Sequence, residues 1–173
     1  MNAIKLFYLI IYHVLFNGLP WYFKFLGCNK IRNFLFSKIT NSGKNVSIGR
    51  NSDIMDITKL LKIKDNVSIG DNFRFIGYSE PAIIGNNVVL GFDCVLITTQ
   101  HNYGDRGKNI KDQGYRDAKI IIEDDVFFGG RVYVMPGVRI GKGTYVGSGS
   151  IISKSIPPYS IAWGVPARIV KIR

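Results

Sequence analysis

The 173-residue sequence predicts an all-β fold: a parallel β-solenoid of triangular cross-section, preceded by a helical segment. Its first sign is a five-residue pattern that recurs every 21 residues, as Asn45-Val46-Ser47-Ile48-Gly49, Asn66-Val67-Ser68-Ile69-Gly70 and Asn87-Val88-Val89-Leu90-Gly91. After a gap it returns as Asp125-Val126-Phe127-Phe128-Gly129, and its tail repeats 18 residues later as Thr144-Tyr145-Val146-Gly147. The second sign is a large apolar residue every six positions, at Ile84, Leu90 and Leu96 and again at Ile122, Phe128, Val134, Ile140, Val146 and Ile152. The third is a smaller or branched residue two positions before most of these, as at Val88, Cys94, Val126, Val132, Val138, Thr144 and Ser150.

An amphipathic helix repeats about every 3.6 residues and a strand every other residue, so neither produces this period. Short strands joined by tight corners do. With each hexapeptide as one side of a triangular prism, three make an 18-residue coil, and each sixth side chain points inward onto its equivalent one coil away. Gly, Asn and Asp beside it supply corners, where positive φ is often required. The 21-residue spacing of the early coils implies three extra residues per coil, as bulges or short loops at corners. Between Leu96 and Ile122 the step is 26 where six would continue the coil, so some 20 residues are extruded. A loop of that length inside a compact domain is usually functional.

The chain thus divides into an apolar and basic helical segment (1–40), a solenoid (41–157) with an extruded loop at about 102–119, and a C-terminal tail (158–173). Residues 4–16 are almost wholly apolar, and a second aromatic cluster follows at Leu19-Pro20-Trp21-Tyr22-Phe23. Spanning a bilayer takes about 20 uninterrupted apolar residues, whereas Lys5, His13, Asn17, Gly18, Pro20 and Lys24 break this run. No small-residue cleavage site follows it, which argues against a secretory signal. Two readings remain open. The segment either packs on its own body or trimer, or lies at a membrane surface through residues 1–38, with Trp21, Tyr22 and Phe23 at headgroup level and Lys24, Lys30 and Arg32 toward anionic lipid.

Twenty-three Lys and Arg against 12 Asp and Glu give a net charge of +11, which points to phosphate-rich or anionic partners. The excess is split. Seven basic residues and no acidic one lie up to Arg50, seven and none after Asp125, and nine basic against twelve acidic between them. Nucleic-acid binding would need a continuous basic surface with interleaved aromatics, so this division argues against it. Cys28 and Cys94, the two cysteines, supply neither a disulfide framework nor a zinc site and suit a reducing cytoplasm.

The sequence resembles the hexapeptide-repeat acyltransferases, whose fold is a left-handed parallel β-helix. Within them it is most similar to the branch of galactoside and maltose, xenobiotic and polysaccharide O-acetyltransferases. The residues that carry the likeness are Ile84-Gly85-Asn86-Asn87-Val88, Gly137-Val138-Arg139-Ile140-Gly141, the run Gly149 to Pro158, and the terminal Gly164-Val165-Pro166-Ala167-Arg168. Handedness comes from the resemblance and not from the period.

The resemblance implies an acetyl-CoA-dependent transfer with His101, the sole histidine of the repeat region, as general base. Taking a hydroxyl proton as the oxygen attacks a thioester suits imidazole chemistry. It also implies cofactor contacts at Gly130, Ser148, Ser153, Lys154, Arg168 and Lys171, with the tail closing the cofactor groove and the Gly130 N–H stabilising the oxyanion. Acceptor contacts fall on Asp71, Asn72, Asn102 and Tyr103, while Tyr115 and Arg116 reach toward a neighbouring subunit of a homotrimer. No metal is implied, because the fold's γ-class carbonic anhydrases use three histidine ligands and this chain has only His13 and His101. The expected reaction is O-acetylation of a sugar hydroxyl in bacterial surface polysaccharide (capsule or O-antigen) synthesis, in the cytoplasm or at the inner face of the membrane. N-acetylation of an amino sugar, a xenobiotic acceptor and a catalytically dead scaffold are the alternatives.

Overall fold

The computed structural model describes residues 3–19, 27–40, 42–53 and 59–173. The strands in chain order are β1 (Ser47–Ile48), β2 (Leu61–Ile63), β3 (Ser68–Ile69), β4 (Arg74–Ile76), β5 (Ala82–Ile84), β6 (Val89–Leu90) and β7 (Val95–Ile97). A ribbon of β8 (Thr99–His101) and β9 (Tyr115–Asp117) interrupts them. The coils resume with β10 (Ile120–Ile122), β11 (Phe127–Phe128), β12 (Tyr133–Val134), β13 (Arg139–Ile140), β14 (Tyr145–Val146) and β15 (Ile151–Ile152), and end in β16 (Ser160–Gly164) and β17 (Ala167–Ile172).

These strands form the three faces of a prism. The first face runs β1-β3-β6-β11-β14-β16-β17, the second β4-β7-β12-β15 and the third β2-β5-β10-β13. All neighbours within the faces are parallel except β16 and β17. Residues one coil apart lie in register, so that Ser47, Ser68, Val89, Phe127, Tyr145 and Ile161 form one outward row. The core is the sixth-position stack. Ile84, Leu90, Leu96, Ile122, Phe128, Val134, Ile140, Val146 and Ile152 are all buried, as are Val88, Cys94, Val126, Val132, Val138, Thr144 and Ser150 before them. Burial pushes the Cys94 thiol up to about 11, so it serves as a packed hydrophobe.

Corner chemistry differs from edge to edge. On the edge between the third and first faces, Asn45, Asn66 and Asn87 take left-handed φ of 56–58°, and their amides form a ladder with Nδ2 to Oδ1 distances of 3.0 and 3.1 Å. A short polar side chain tolerates that conformation and satisfies its amide one coil away. On the edge between the first and second faces the coils meet at glycines. A Cβ on Gly91 would lie 2.6 Å from the Gly129 carbonyl carbon of the next coil.

The remaining edge, between the second and third faces, takes up all the irregularity. From Tyr133 to Ile140 is seven positions, whereas their register equivalents Arg74 and Ile84 are ten apart. The three extra residues therefore sit in segment 77–81, on the edge that later extrudes the loop. The loop itself begins earlier than 102. The chain leaves the coil at Thr98 and rejoins it at Ala118, whose N–H donates to the Thr98 carbonyl at 2.8 Å, and β8 and β9 pair antiparallel between those points. The first strand begins at Ser47, although Gly43 already donates to the Ile63 carbonyl of the next coil at 2.9 Å, and the C-terminal segment is a strand hairpin of β16 and β17 that adds to the first face.

Ahead of the prism stand α1 (Ala3–Ile11), a π-helical turn (Tyr12–Phe16) and α2 (Cys28–Thr40). They close the open end of the first coil. Tyr12, Leu35, Phe36 and Ile39 are buried in a core continuous with the solenoid. Polar links hold the junction, with Arg32 Nε donating to the Ile48 carbonyl at 2.9 Å and the Ile48 N–H to Asn33 Oδ1 at 3.0 Å. Asn17 Oδ1 accepts from the Ser52 N–H at 3.0 Å. These groups would otherwise be unpaired strand-edge donors and acceptors. Packing on the body, one of the two readings of this segment, is thus observed for one side of it. Trp21, Tyr22, Phe23 and Lys24 lie outside the described residues. Among the described residues no helix is long and apolar enough to cross a membrane.

Candidate active site

His101 ends β8, outside the prism and exposed. Its cross-strand partner is Tyr115, and the two rings lie 4.4 Å apart at 39°. Tyr78, from the three-residue excess on the same edge, meets Tyr115 edge-on at 5.1 Å. Ser79 Oγ donates to Asp117 Oδ2 at the ribbon's base, and this hydroxyl is the main reason the Asp117 carboxyl sits below the usual carboxylate range. Further out, the Asn102 N–H and side-chain amide donate to the Gly114 and Gln113 carbonyls at 3.0 and 3.1 Å. The Gln113 amide in turn binds the Asp105 and Lys108 carbonyls at 2.8 and 3.0 Å. His101 therefore stands on a built ribbon with a tied tip. Tyr78 escaped the sequence reading, although the 21-residue spacing that displaces it outward was visible there.

Asn102 and Tyr103 adjoin His101 along the chain, and Tyr103 is exposed. Asn102 gives one amide hydrogen to the ribbon backbone and so props the loop, leaving its side-chain oxygen and second amide hydrogen toward an acceptor. Two coils beyond the ribbon, the same edge carries Ser153 and Lys154. Lys154 and Arg168 line an open groove of about 270 Å³ with Ser155, Ile156, Ala162, Ala167 and Ile169. Two cations with no carboxylate among the lining residues suit a phosphate. Lys171 is exposed on β17 opposite Ile161 and does not line it.

Gly130 and Ser148 stand elsewhere, on the glycine edge with Asp71 and Asn72. The Gly130 N–H, the expected oxyanion donor, already donates to Ser148 Oγ at 3.1 Å. The donor this corner presents outward is the exposed Ser148 hydroxyl. Asp71 is likewise committed. It accepts from the Arg50 N–H at 2.8 Å and from its guanidinium in an ion pair. Burial pulls the Asp71 carboxyl up, but the Arg50 hydrogen bonds and charge outweigh it and hold the group below its usual range. Asn72 Nδ2 donates to Asp93 Oδ1 at 2.7 Å. A single chain therefore brings His101, Ser153, Lys154 and Arg168 to one side of the prism and leaves Gly130, Ser148, Asp71 and Asn72 on the neighbouring edge.

Residues 119–154 match the family model described as bacterial transferase hexapeptide (six repeats). That stretch carries the family's repeat. The match covers the coils that carry Gly130, Ser148, Ser153 and Lys154. The chain is 34% identical over 131 residues to a probable acetyltransferase of Mycobacterium tuberculosis, covering 76% of this chain and 43% of that protein. It spans about half the length of the relatives it matches. In three dimensions it resembles the maltose O-acetyltransferase from Clostridium difficile, with a TM-score of 0.81 and 24% identity over 99% of this chain and 89% of that one. It also resembles a galactoside acetyltransferase solved with coenzyme A, with a TM-score of 0.73 and 21% identity over 99% of this chain and 84% of that one. The solved structures share its fold.

Proposed function

We propose that the protein transfers an acetyl group from acetyl-CoA to a sugar hydroxyl, with His101 as general base, on a prism wound left-handed as in the family it resembles. The observation that carries this reading is the placement of an exposed His101 on the same side of the prism as the carboxylate-free groove of Lys154 and Arg168. A base at one end and a phosphate-binding groove at the other are what an extended thioester donor requires. His101 takes the acceptor hydroxyl proton as the oxygen forms its bond to the thioester carbonyl carbon. The carbon–sulfur bond then breaks, and the proton passes from the imidazole to the departing thiolate. The Ser148 hydroxyl is a candidate donor to the carbonyl oxygen as charge gathers there.

The split of these residues over two edges supports a site shared between copies, and a homotrimer is the assembly we propose. The outward row of the first face fits such a contact. Its polar beginning, Ser47 and Ser68, gives way to Val89, Phe127, Tyr145 and Ile161, with Phe127 and Tyr145 stacked at 5.0 Å. We place the reaction in the cytoplasm, where a reducing environment suits two free cysteines, and within bacterial surface polysaccharide synthesis. Thiol release from acetyl-CoA against a panel of sugars, nucleotide sugars and antibiotics tests the reading, and NMR of the product assigns the acetyl to oxygen or nitrogen. Turnover on a sugar hydroxyl is expected. No turnover with any acceptor, together with no coenzyme A binding in calorimetry, overturns it.

A further inference from the structure

α1 is apolar at every position but Lys5, yet the prism covers only one side of it. Leu9 and Tyr12 point into the core, while Ile4, Phe7, Ile10 and Val14 are 64, 60, 53 and 73% exposed. Their spacing of three, three and four residues sets them along one helical stripe. The stripe continues onto α2. Phe7 lies 6.1 Å from Tyr8, Tyr8 meets the Phe34 ring edge-on at 6.4 Å, and the ammonium of Lys38 sits 5.4 Å over Phe34. Lys30, Phe34 and Lys38 are four residues apart on α2 and all exposed, so a cation stands on either side of the aromatic ring. A contiguous uncovered apolar patch marks an interaction surface.

We propose that this face of the helical cap docks on an anionic lipid surface, with Phe7, Ile10, Val14 and Phe34 entering the acyl boundary and Lys30 and Lys38 facing the headgroups. The charge pattern selects this occupant. The chain has no acidic residue before Asp53, and while Arg32 is buried against the Ile48 carbonyl and Arg50 is paired with Asp71, Lys30 and Lys38 are exposed on this face. A second copy meeting the same patch would bring lysines against lysines, which costs affinity. A negative headgroup layer over a shallow apolar region answers both features at once. The helices are too short to cross the bilayer among the described residues, so contact is in the interfacial plane.

Flotation of the full chain with phosphatidylcholine vesicles, with and without phosphatidylglycerol, tests this. The protein is expected to float with the anionic vesicles and to do so weakly with the neutral ones. The Phe7→Glu/Val14→Glu double variant should lose flotation on both. Lys30→Glu/Lys38→Glu should lower partition into anionic vesicles by roughly tenfold or more while leaving the weak neutral binding unchanged. All these side chains are exposed, so melting temperature and coenzyme A binding should match the parent chain in both variants. Failure of the full chain to float with anionic vesicles overturns the proposal. So does a fall in assembly mass by light scattering in Phe7→Glu/Val14→Glu, which would assign the face to another copy. Neither result touches acetyl transfer, which is read separately in solution.

Discussion

Two edges of one prism are built in opposite ways. On the glycine edge each coil rests on the next so closely that a Cβ at Gly49, Gly70 or Gly91 would lie 2.3–2.6 Å from the neighbouring backbone. On the edge between the second and third faces the chain instead leaves the stack, through the extra residues of 77–81 and the ribbon that starts after Thr98, and side chains hold it: Ser79 to Asp117, Tyr78 to Tyr115, Gln113 across the tip. Close stacking leaves no room to vary. An interruption frees a histidine from the core while the flanking coils still fix where it stands.

Substitutions can break or sharpen that contrast. The largest effect is expected from His101→Ala, which should lower acetyl transfer by about 10²–10⁴-fold without moving the melting temperature. Retention of more than a few per cent of turnover would reject His101 as the base. Next comes a matched pair read by chemical denaturation. Gly91→Ala should destabilise by about 3 kcal/mol because backbone has to move. Gly104→Ala, with nothing within 4 Å of its added carbon, should stay within about 0.5 kcal/mol, and equal costs would erase the difference between the edges.

Smaller effects are expected at two supporting side chains. Tyr115→Ala should cut kcat about fivefold through lost ring packing against His101, with Tyr115→Phe restoring it, since the contact is with the ring and not the hydroxyl. Asp71→Asn should cost about 1 kcal/mol, the pair with Arg50 being about a third exposed. Because the Asp71 carboxyl is held below its ordinary value in the folded chain, its contribution is present above about pH 4 and is lost as pH falls through the folded value. The parent and Asp71→Asn stabilities should therefore converge under acid titration. A gap that persists at low pH would show that Asp71 acts through something other than its charge.

Much of the fold was legible because a six-residue period has a single geometric meaning, and each residue it placed inward, from Ile84 to Ile152, is buried. The position of the break after Leu96 was legible for the same reason. What the period does not encode is where three extra residues per coil go, since any corner satisfies the count. The pairing of Arg74 with Val95 and of Ile84 with Ile122 put them at one edge, and with them Tyr78 beside His101's partner. Asp71 shows the converse. Its corner position was readable, but its engagement by Arg50, 21 residues away, depends on the stacking of two side chains that sequence proximity does not link.

The equal basic blocks show the division most plainly. The order of residues alone determined that seven cations lie at each end of the chain. Only folding decided which of them are spent within the chain. Arg32 and Arg50 are held by the first coils, and Arg131, Arg139 and Arg173 pair with Asp93, Glu123 and Asp125. Lys30 and Lys38 remain beside an apolar helix face, and Lys154 and Arg168 over a groove. A charge count is a sum over residues and survives any folding. Whether a charge is available is a matter of distance to its nearest opposite, and that distance exists only once the coils are stacked.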